Sequence, residues 1–225
     1  MSQFNTQTMV PGVEITEAEK KQYYVPPAEG KVSVCYLVAK RIFDVVLSVT
    51  LLLLLLLPML LLGVIVFFTS KGPMFYRQER LGTNGKPFML VKYRSMRIDA
   101  EKDGPQWAKN DDDRCTVFGR FLRKTRLDEL PQFWNILMGD MSFVGPRPER
   151  SVFYEEFETY IHGFSNRLAA TPGLTGWAQV NGGYDLLPEE KIVYDMEYIN
   201  NRSVWMDLKC LLMTFHVVFT HKGAR

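Results

Sequence analysis

The longest apolar block in the chain runs from Val45 to Phe68, 24 residues without a charge, interrupted only by Ser48, Thr50, Pro58 and Gly63. As one straight helix it would be about 36 Å long, enough for a hydrocarbon core of about 30 Å. The pattern therefore predicts a membrane segment. Pro58 lies near its middle, in Leu57-Pro58-Met59. Proline removes a backbone hydrogen bond and clashes with the preceding turn, so it bends or breaks the helix there. Both flanks are basic, with Lys40-Arg41 before the run and Lys71, Arg77 and Arg80 after it. Such flanks give no preferred outer end. A helix–break–helix that enters and leaves on one face suits them, and a kinked spanning helix is the alternative.

After this run the periodicity changes. Pro73 to Tyr76 and Phe88 to Val91 are short apolar stretches separated by Gly82-Thr83-Asn84-Gly85, the pattern of a β-hairpin closed by Asn-Gly. Thr116 to Leu127 reads as an amphipathic helix, with Val117, Phe118, Phe121 and Leu122 on one face and Arg120, Arg123 and Lys124 on another. A second helix opens with Pro131 in its first turn and runs to Leu137. Phe153 to Ile161 is expected to be helical. So is Trp205 to Phe219, either in the core or in the membrane interface. Residues 1–39 are polar and read as an extension, partly disordered or lying on the catalytic part. They lack the leading charged and apolar regions of a signal peptide. The expected organisation is a polar extension at 1–39, a membrane helix at 40–70 and a mixed helix-and-strand domain at 71–225.

Composition refines this. The chain has 225 residues, is 47% hydrophobic and carries a net charge of only +2. The charge is segregated: Lys71 to Arg150 holds 16 Lys/Arg against 11 Asp/Glu, and Ser151 to the end holds 6 against 9. A basic middle suits an anionic ligand or an anionic membrane face, or else is a solvated basic surface. Cys35, Cys115 and Cys210 are odd in number and far apart, which argues against disulfides and zinc and fits a reducing compartment. No aromatic-basic motif points to nucleic acid.

The densest candidate chemistry is Arg126-Leu127-Asp128-Glu129-Leu130-Pro131-Gln132. Leu130 precedes a proline and is expected to leave helical geometry. Asp128 and Glu129 then sit near a helix N-terminus, a place that favours anions and can hold phosphate. A carboxylate attacks phosphorus when a metal and cationic side chains mask the phosphate charge. The plainer alternative is a helix cap. In Gly145-Pro146-Arg147-Pro148 two prolines bracket Arg147, and a guanidinium so held can clamp a phosphate. The alternative is a surface loop. Lys92, Arg94, Arg123 and Arg126 are further candidates for phosphate contact. Trp177 and Gln179, in the loop from Pro172 to Gly182, are candidates for lining the same site. Tyr36, His162, His216 and His221 have no assignable partner.

These pieces occur in a fixed order: Lys40-Arg41-Ile42-Phe43-Asp44, Gly72-Pro73, Gln78 with Arg80 and Gly82, and Lys92-Tyr93-Arg94-Ser95-Met96. Then come Thr125 to Gln132, Gly145 to Pro148, and Pro172-Gly173-Leu174-Thr175-Gly176-Trp177. In this the chain from Lys40 onward resembles the bacterial monotopic phosphoglycosyl transferases, which transfer a sugar-1-phosphate to a polyprenyl phosphate and so begin exopolysaccharide or capsule assembly. The resemblance implies an α+β fold, mostly helical, with a proline-broken re-entrant membrane helix and interfacial amphipathic helices. It implies that Asp128 attacks a UDP-sugar, releases UMP and carries the phosphosugar covalently. It gives Glu129 a role in binding Mg²⁺ and Arg147 one in holding phosphate. The partners implied are a UDP-sugar, undecaprenyl phosphate and membrane lipid, with the enzyme on the cytoplasmic face of the inner membrane. A homo-oligomer stays open. One departure is Leu57, where the family often has Ser before the proline.

Two rival readings remain. Asn110-Asp111-Asp112-Asp113 has the look of a metal-binding motif in a glycosyltransferase that releases UDP, though such a run is commonly a solvated turn. The other rival is a non-catalytic membrane scaffold.

Overall fold

A computed structural model describes residues 23–29, 32–102, 104, 112–182 and 186–220. The fold is mixed α+β and mostly helical. A two-residue strand β1 (Tyr23–Tyr24) precedes the apolar run. The run itself forms two helices, α1 (Val34–Leu54) and α2 (Leu56–Thr69), bent by 65°. No single helix among the described residues is long and apolar enough to cross a membrane, and only this bent pair passes by length and composition. The break falls at Leu55, three residues before the proline. The cause is still Pro58, because its missing N–H would have bonded the Leu54 carbonyl. Helix α1 therefore stops at Leu54, and Pro58 sits in the first turn of α2, where no N–H is needed.

The expected hairpin is present as β2 (Phe75–Leu81) and β3 (Pro87–Tyr93), antiparallel, with Phe75 opposite Tyr93. Asn84 and Gly85 close it with left-handed φ of 56° and 75°. Then follows α3 (Val117–Thr125), capped by the Thr116 hydroxyl, which accepts the Gly119 N–H at 2.9 Å. A 3₁₀ turn at Leu127–Glu129 leads into α4 (Gln132–Met138). Leu130 is in the right-handed helical region (φ −54°, ψ −37°), so the expected exit from helical geometry before Pro131 does not occur. The 3₁₀ turn runs straight on into α4 and overrides the local preference.

Strand β4 (Ser142–Val144) precedes α5 (Ser151–Glu158) and β5 (Ile161–His162). The helix expected to reach Ile161 stops at Glu158, because Ile161 and His162 pair in parallel with Tyr23 and Tyr24. Tyr23 to Val25 of the extension thus lie against β5. Strand β6 (Gly173–Thr175) pairs with β4, followed by α6 (Trp177–Gly182), α7 (Pro188–Asn201) and α8 (Val204–Thr220). The main core joins α4, β4, β5 and α7 through Ile136, Val144, Ile161 and Ile192, each 2% exposed or less. Leu47, Leu51, Leu52 and Leu55 of the first membrane-type helix and the bend pack against it.

Three polar hooks seat α1 on this core. Asp44 is buried and accepts from Ser142 Oγ at 3.1 Å and the Phe143 N–H at 3.0 Å. Arg41 donates to the Ile136 and Leu137 carbonyls at the C-terminal end of α4, both at 2.7 Å, where free carbonyls favour a cation. Lys40 pairs with Asp207 at 2.8 Å. Tyr36, which had no assignable partner in sequence, donates to the same Asp207 at 3.0 Å.

Candidate active site

The motifs scattered along the sequence converge on one cavity of about 470 Å³. Asp128 and Glu129 stand on its wall, on the 3₁₀ turn between α3 and α4. Opposite them, Gly145 to Pro148 crosses back from β4. Its path depends on glycine: a Cβ on Gly145 would lie 2.2 Å from the Thr171 carbonyl oxygen, and one on Gly173 would lie 2.1 Å from the Gly145 nitrogen. Only bare backbones fit that closely. The Gly-Pro-Arg-Pro and Pro-Gly-Leu-Thr-Gly segments are therefore one unit, joined by Gly145 N–H to Thr175 O and Gly173 N–H to Pro146 O, both 2.9 Å.

Arg147 projects from this unit and donates to Glu129 Oε1 at 2.6 Å. Its own carbonyl accepts from Arg167 at 3.0 Å. Arg167 is buried and paired with Asp195 at 2.5 Å, so the loop is fixed from behind as well as by its prolines. Lys92 comes from β3, on the hairpin face it shares with Tyr76, Gln78 and Arg80. Arg123 and Arg126 come from the end of α3, where Arg126 takes a left-handed φ of 58°. All five arginines and lysines expected from sequence line the cavity. Arg94 differs from the rest in its bonding: it donates to Ser70 O at 2.7 Å and Ser70 Oγ at 2.8 Å, and so holds the end of α2 to the cavity wall.

The two adjacent carboxylates are driven apart. Burial pushes Asp128 up, the Glu129 charge adds to this, and Lys92, Arg123 and Arg147 oppose it; its pKa is raised to about 6. Burial also works against Glu129, but the Arg147 guanidinium outweighs it, helped by Arg126 and Lys92, and holds Glu129 below the usual range. Lys92 is lowered to about 8 by burial, against the pull of Asp128. A carboxylate poised near neutrality beside one that stays ionised is an arrangement suited to divided roles.

Several cavity residues escaped the sequence reading. Glu149 accepts from Arg80 at 3.1 Å and from Lys191. Arg150 pairs with Glu101 at 2.9 Å. Arg114 is held by Asp112, with Nε to Oδ1 at 2.7 Å and Nη2 to Oδ2 at 2.5 Å. Glu149 and Arg150 adjoin the Gly-Pro-Arg-Pro segment, the one local signal that could have drawn attention to them. Within the acidic run, Asn110 and Asp111 lie outside the described residues, Asp112 is engaged by Arg114, and Asp113 is exposed. Gln179 lines the cavity, whereas Trp177 lies under Lys209, 4.5 Å from its ring centre. His221 lies outside the described residues. Around the cavity, ten Lys/Arg face four carboxylates among the described residues, so it carries a surplus of positive charge suited to a polyanion.

A proline-bent apolar helix pair joined to a basic cavity with a carboxylate pair defines the class, and comparison with known proteins assigns it. The chain belongs to the bacterial sugar transferase family, whose model matches residues 35–221. It is 40% identical over 205 residues to a UDP-glucose:undecaprenyl-phosphate glucose-1-phosphate transferase of Klebsiella pneumoniae, covering 89% of this chain and 44% of that protein. It is 39% identical over 193 residues to a UDP-N-acetylgalactosamine-undecaprenyl-phosphate N-acetylgalactosaminephosphotransferase of Aeromonas hydrophila, covering 84% and 46%. A protein of Caulobacter vibrioides bearing the same name as the Klebsiella one is 42% identical over 192 residues, covering 82% and 71%. The chain thus spans less than half the length of the first two relatives.

Proposed function

We propose that this chain transfers a sugar-1-phosphate from a UDP-sugar to undecaprenyl phosphate, through a covalent intermediate on Asp128. The observation that carries the proposal is the buried Asp128–Glu129 pair facing Arg147, Arg123 and Lys92 across a cavity with surplus positive charge. The names of the relatives supply the substrate classes. In the first step an Asp128 carboxylate oxygen attacks the phosphorus that bears the sugar. The bond from that phosphorus to the bridging oxygen breaks, and UMP leaves with the electron pair. In the second step a phosphate oxygen of the acceptor attacks the same phosphorus and frees Asp128. The cations bind the donor phosphates and offset charge on the equatorial oxygens. Glu129, held ionised by Arg147, keeps a fixed negative charge beside Asp128.

Two adjacent carboxylates are a donor set that fits Mg²⁺, which commonly binds one or two carboxylates together with substrate phosphates. Among the described residues no group of three His, Cys, Asp or Glu gathers at one point, so Asp128 and Glu129 would hold the ion jointly with the donor. When bound, it would supply charge neutralisation at the phosphates.

We also place the bent helix pair in one leaflet of the bacterial inner membrane, entering and leaving on the cytoplasmic face. Supporting this, chain on both sides of the pair bonds to the same domain. Before it, the Tyr23 and Val25 N–H groups donate to the Tyr160 and His162 carbonyls at 2.9 and 2.8 Å. After it, the Arg94 N–H donates to Met74 O at 2.9 Å.

The test is reconstitution with undecaprenyl phosphate, Mg²⁺ and a panel of UDP-sugars, following the nucleotide released and the exchange of labelled UMP into the donor. UMP release with one sugar is expected. Asp128→Asn should lower exchange by about a thousandfold or more, as for other removed nucleophiles. UDP release would instead assign a glycosyltransferase, and no release with any donor would favour the scaffold.

A further inference from the structure

The two faces of the β2–β3 hairpin lead to different cavities. Because side chains alternate along a strand, Tyr76, Gln78, Arg80 and Lys92 border the charged cavity, while Arg77 and Met89 turn to the other side. There they border a second cavity, also about 470 Å³. Its remaining walls include Leu52 and Met59, on either side of the helix break, and Trp134 of α4. Met89 and Trp134 are 48% and 55% exposed. Phe75, at the start of β2 and stacked on Tyr93 with ring centres 5.4 Å apart, lines both cavities.

We propose that this second groove holds the lipid-chain end of the acceptor: the isoprene units next to its phosphate lie between Met89, Trp134 and the helix break, and the phosphate turns around Phe75 to reach Asp128. The inference rests on the transfer reaction proposed above. Three observations commit the groove to this occupant. Two of its wall residues belong to the helix pair placed in the membrane, so the groove opens where a lipid tail already lies. It shares Phe75 with the lining of the cavity that holds Asp128. Its volume lies within the range of about 300–1,000 Å³ usual for small-ligand sites, room for the first part of a long tail and not for all of it. Arg77 and Asp140 form its polar rim.

The test uses the full chain reconstituted in phospholipid vesicles. Met89→Trp would fill the groove, and Leu60→Trp, at a 59% exposed position on α2 outside the groove, controls for a change at the lipid-facing surface. The rate of labelled-UMP exchange, which needs no acceptor, is measured in each preparation. Relative to that exchange, Met89→Trp is expected to raise the KM for undecaprenyl phosphate about tenfold, and Leu60→Trp to leave it as in the wild type. In the wild-type protein, a photoreactive group on the first isoprene unit of the acceptor should label the peptides containing Met89 or Trp134, with competition by undecaprenyl phosphate and not by phospholipid. An unchanged acceptor KM in Met89→Trp, or labelling that phospholipid abolishes equally, overturns the groove while exchange persists. Absence of exchange in the wild type would overturn the transfer reaction itself.

Discussion

The charged cavity and the seat of helix α1 use the same residue types to opposite ends. In the cavity, carboxylates meet cations: Glu129 meets Arg147 and Glu149 meets Arg80 and Lys191, yet positive charge is left over. At the seat, polar groups are spent on the protein itself. Asp44 accepts a hydroxyl and a backbone N–H, and Arg41 covers two helix-end carbonyls. Surplus charge in a cavity is an affinity for something not yet bound, whereas exhausted charge at a seat is stability. A cavity variant should therefore cost rate at constant stability, and a seat variant stability at constant intrinsic rate.

The largest expected effect breaks the first half of that contrast. Arg147→Lys keeps a positive charge beside Glu129 but loses the planar fork. We expect about a hundredfold loss in kcat/KM for the UDP-sugar, close to 2.7 kcal/mol of transition-state stabilisation, with a melting temperature within about 2 °C of wild type. A matching fall in melting temperature would mean that Arg147 serves the fold.

The second half turns on Asp44→Ala. It leaves the Ser142 hydroxyl and the Phe143 N–H without their acceptor at a buried site. About 2 kcal/mol of stability should be lost, from the usual cost of stranded buried donors. Denaturant unfolding in detergent measures it, and labelled-UMP exchange per folded molecule should hold. A stability equal to wild type would show that the seat rests on apolar packing alone.

The two regions also differ in how far their sequence announced them. The apolar run, the Asn-Gly hairpin, the amphipathic helix after Thr116 and the Asp128, Glu129 and Arg147 motifs were legible, because each depends on neighbours within a few residues. The break came at Leu55 and not at Pro58, since proline acts on the carbonyl four residues back. The continuous helical path through Leu130 was set by the turn and α4 together, against the local rule for a residue before proline. Glu149 with Lys191 and Asp44 with Ser142 and Phe143 were invisible, because they join positions 42, 98 and 99 residues apart. The direction of Arg94 toward Ser70 was lost for the same reason: its motif gave the charge and not the partner.

The smallest effect sharpens the contrast within the cavity, through pH. The proposed attack by Asp128 requires it ionised, so activity should rise with pH through about 6, where its raised pKa lies. It should fall above about 8, as Lys92 loses its proton. Lys92 is one of the charges that lower Asp128. In Lys92→Met that help is gone, so Asp128 must titrate higher and the acidic limb must move to higher pH. One pKa unit corresponds to about 1.4 kcal/mol, and a shift of up to roughly that size is expected. The alkaline limb at about 8 should vanish from the same profile, because its titrating group has been removed. The profile of the exchange reaction with saturating donor measures both limbs. An acidic limb that stays in place would mean that Asp128 does not feel Lys92, and an alkaline limb that survives would assign it to another group.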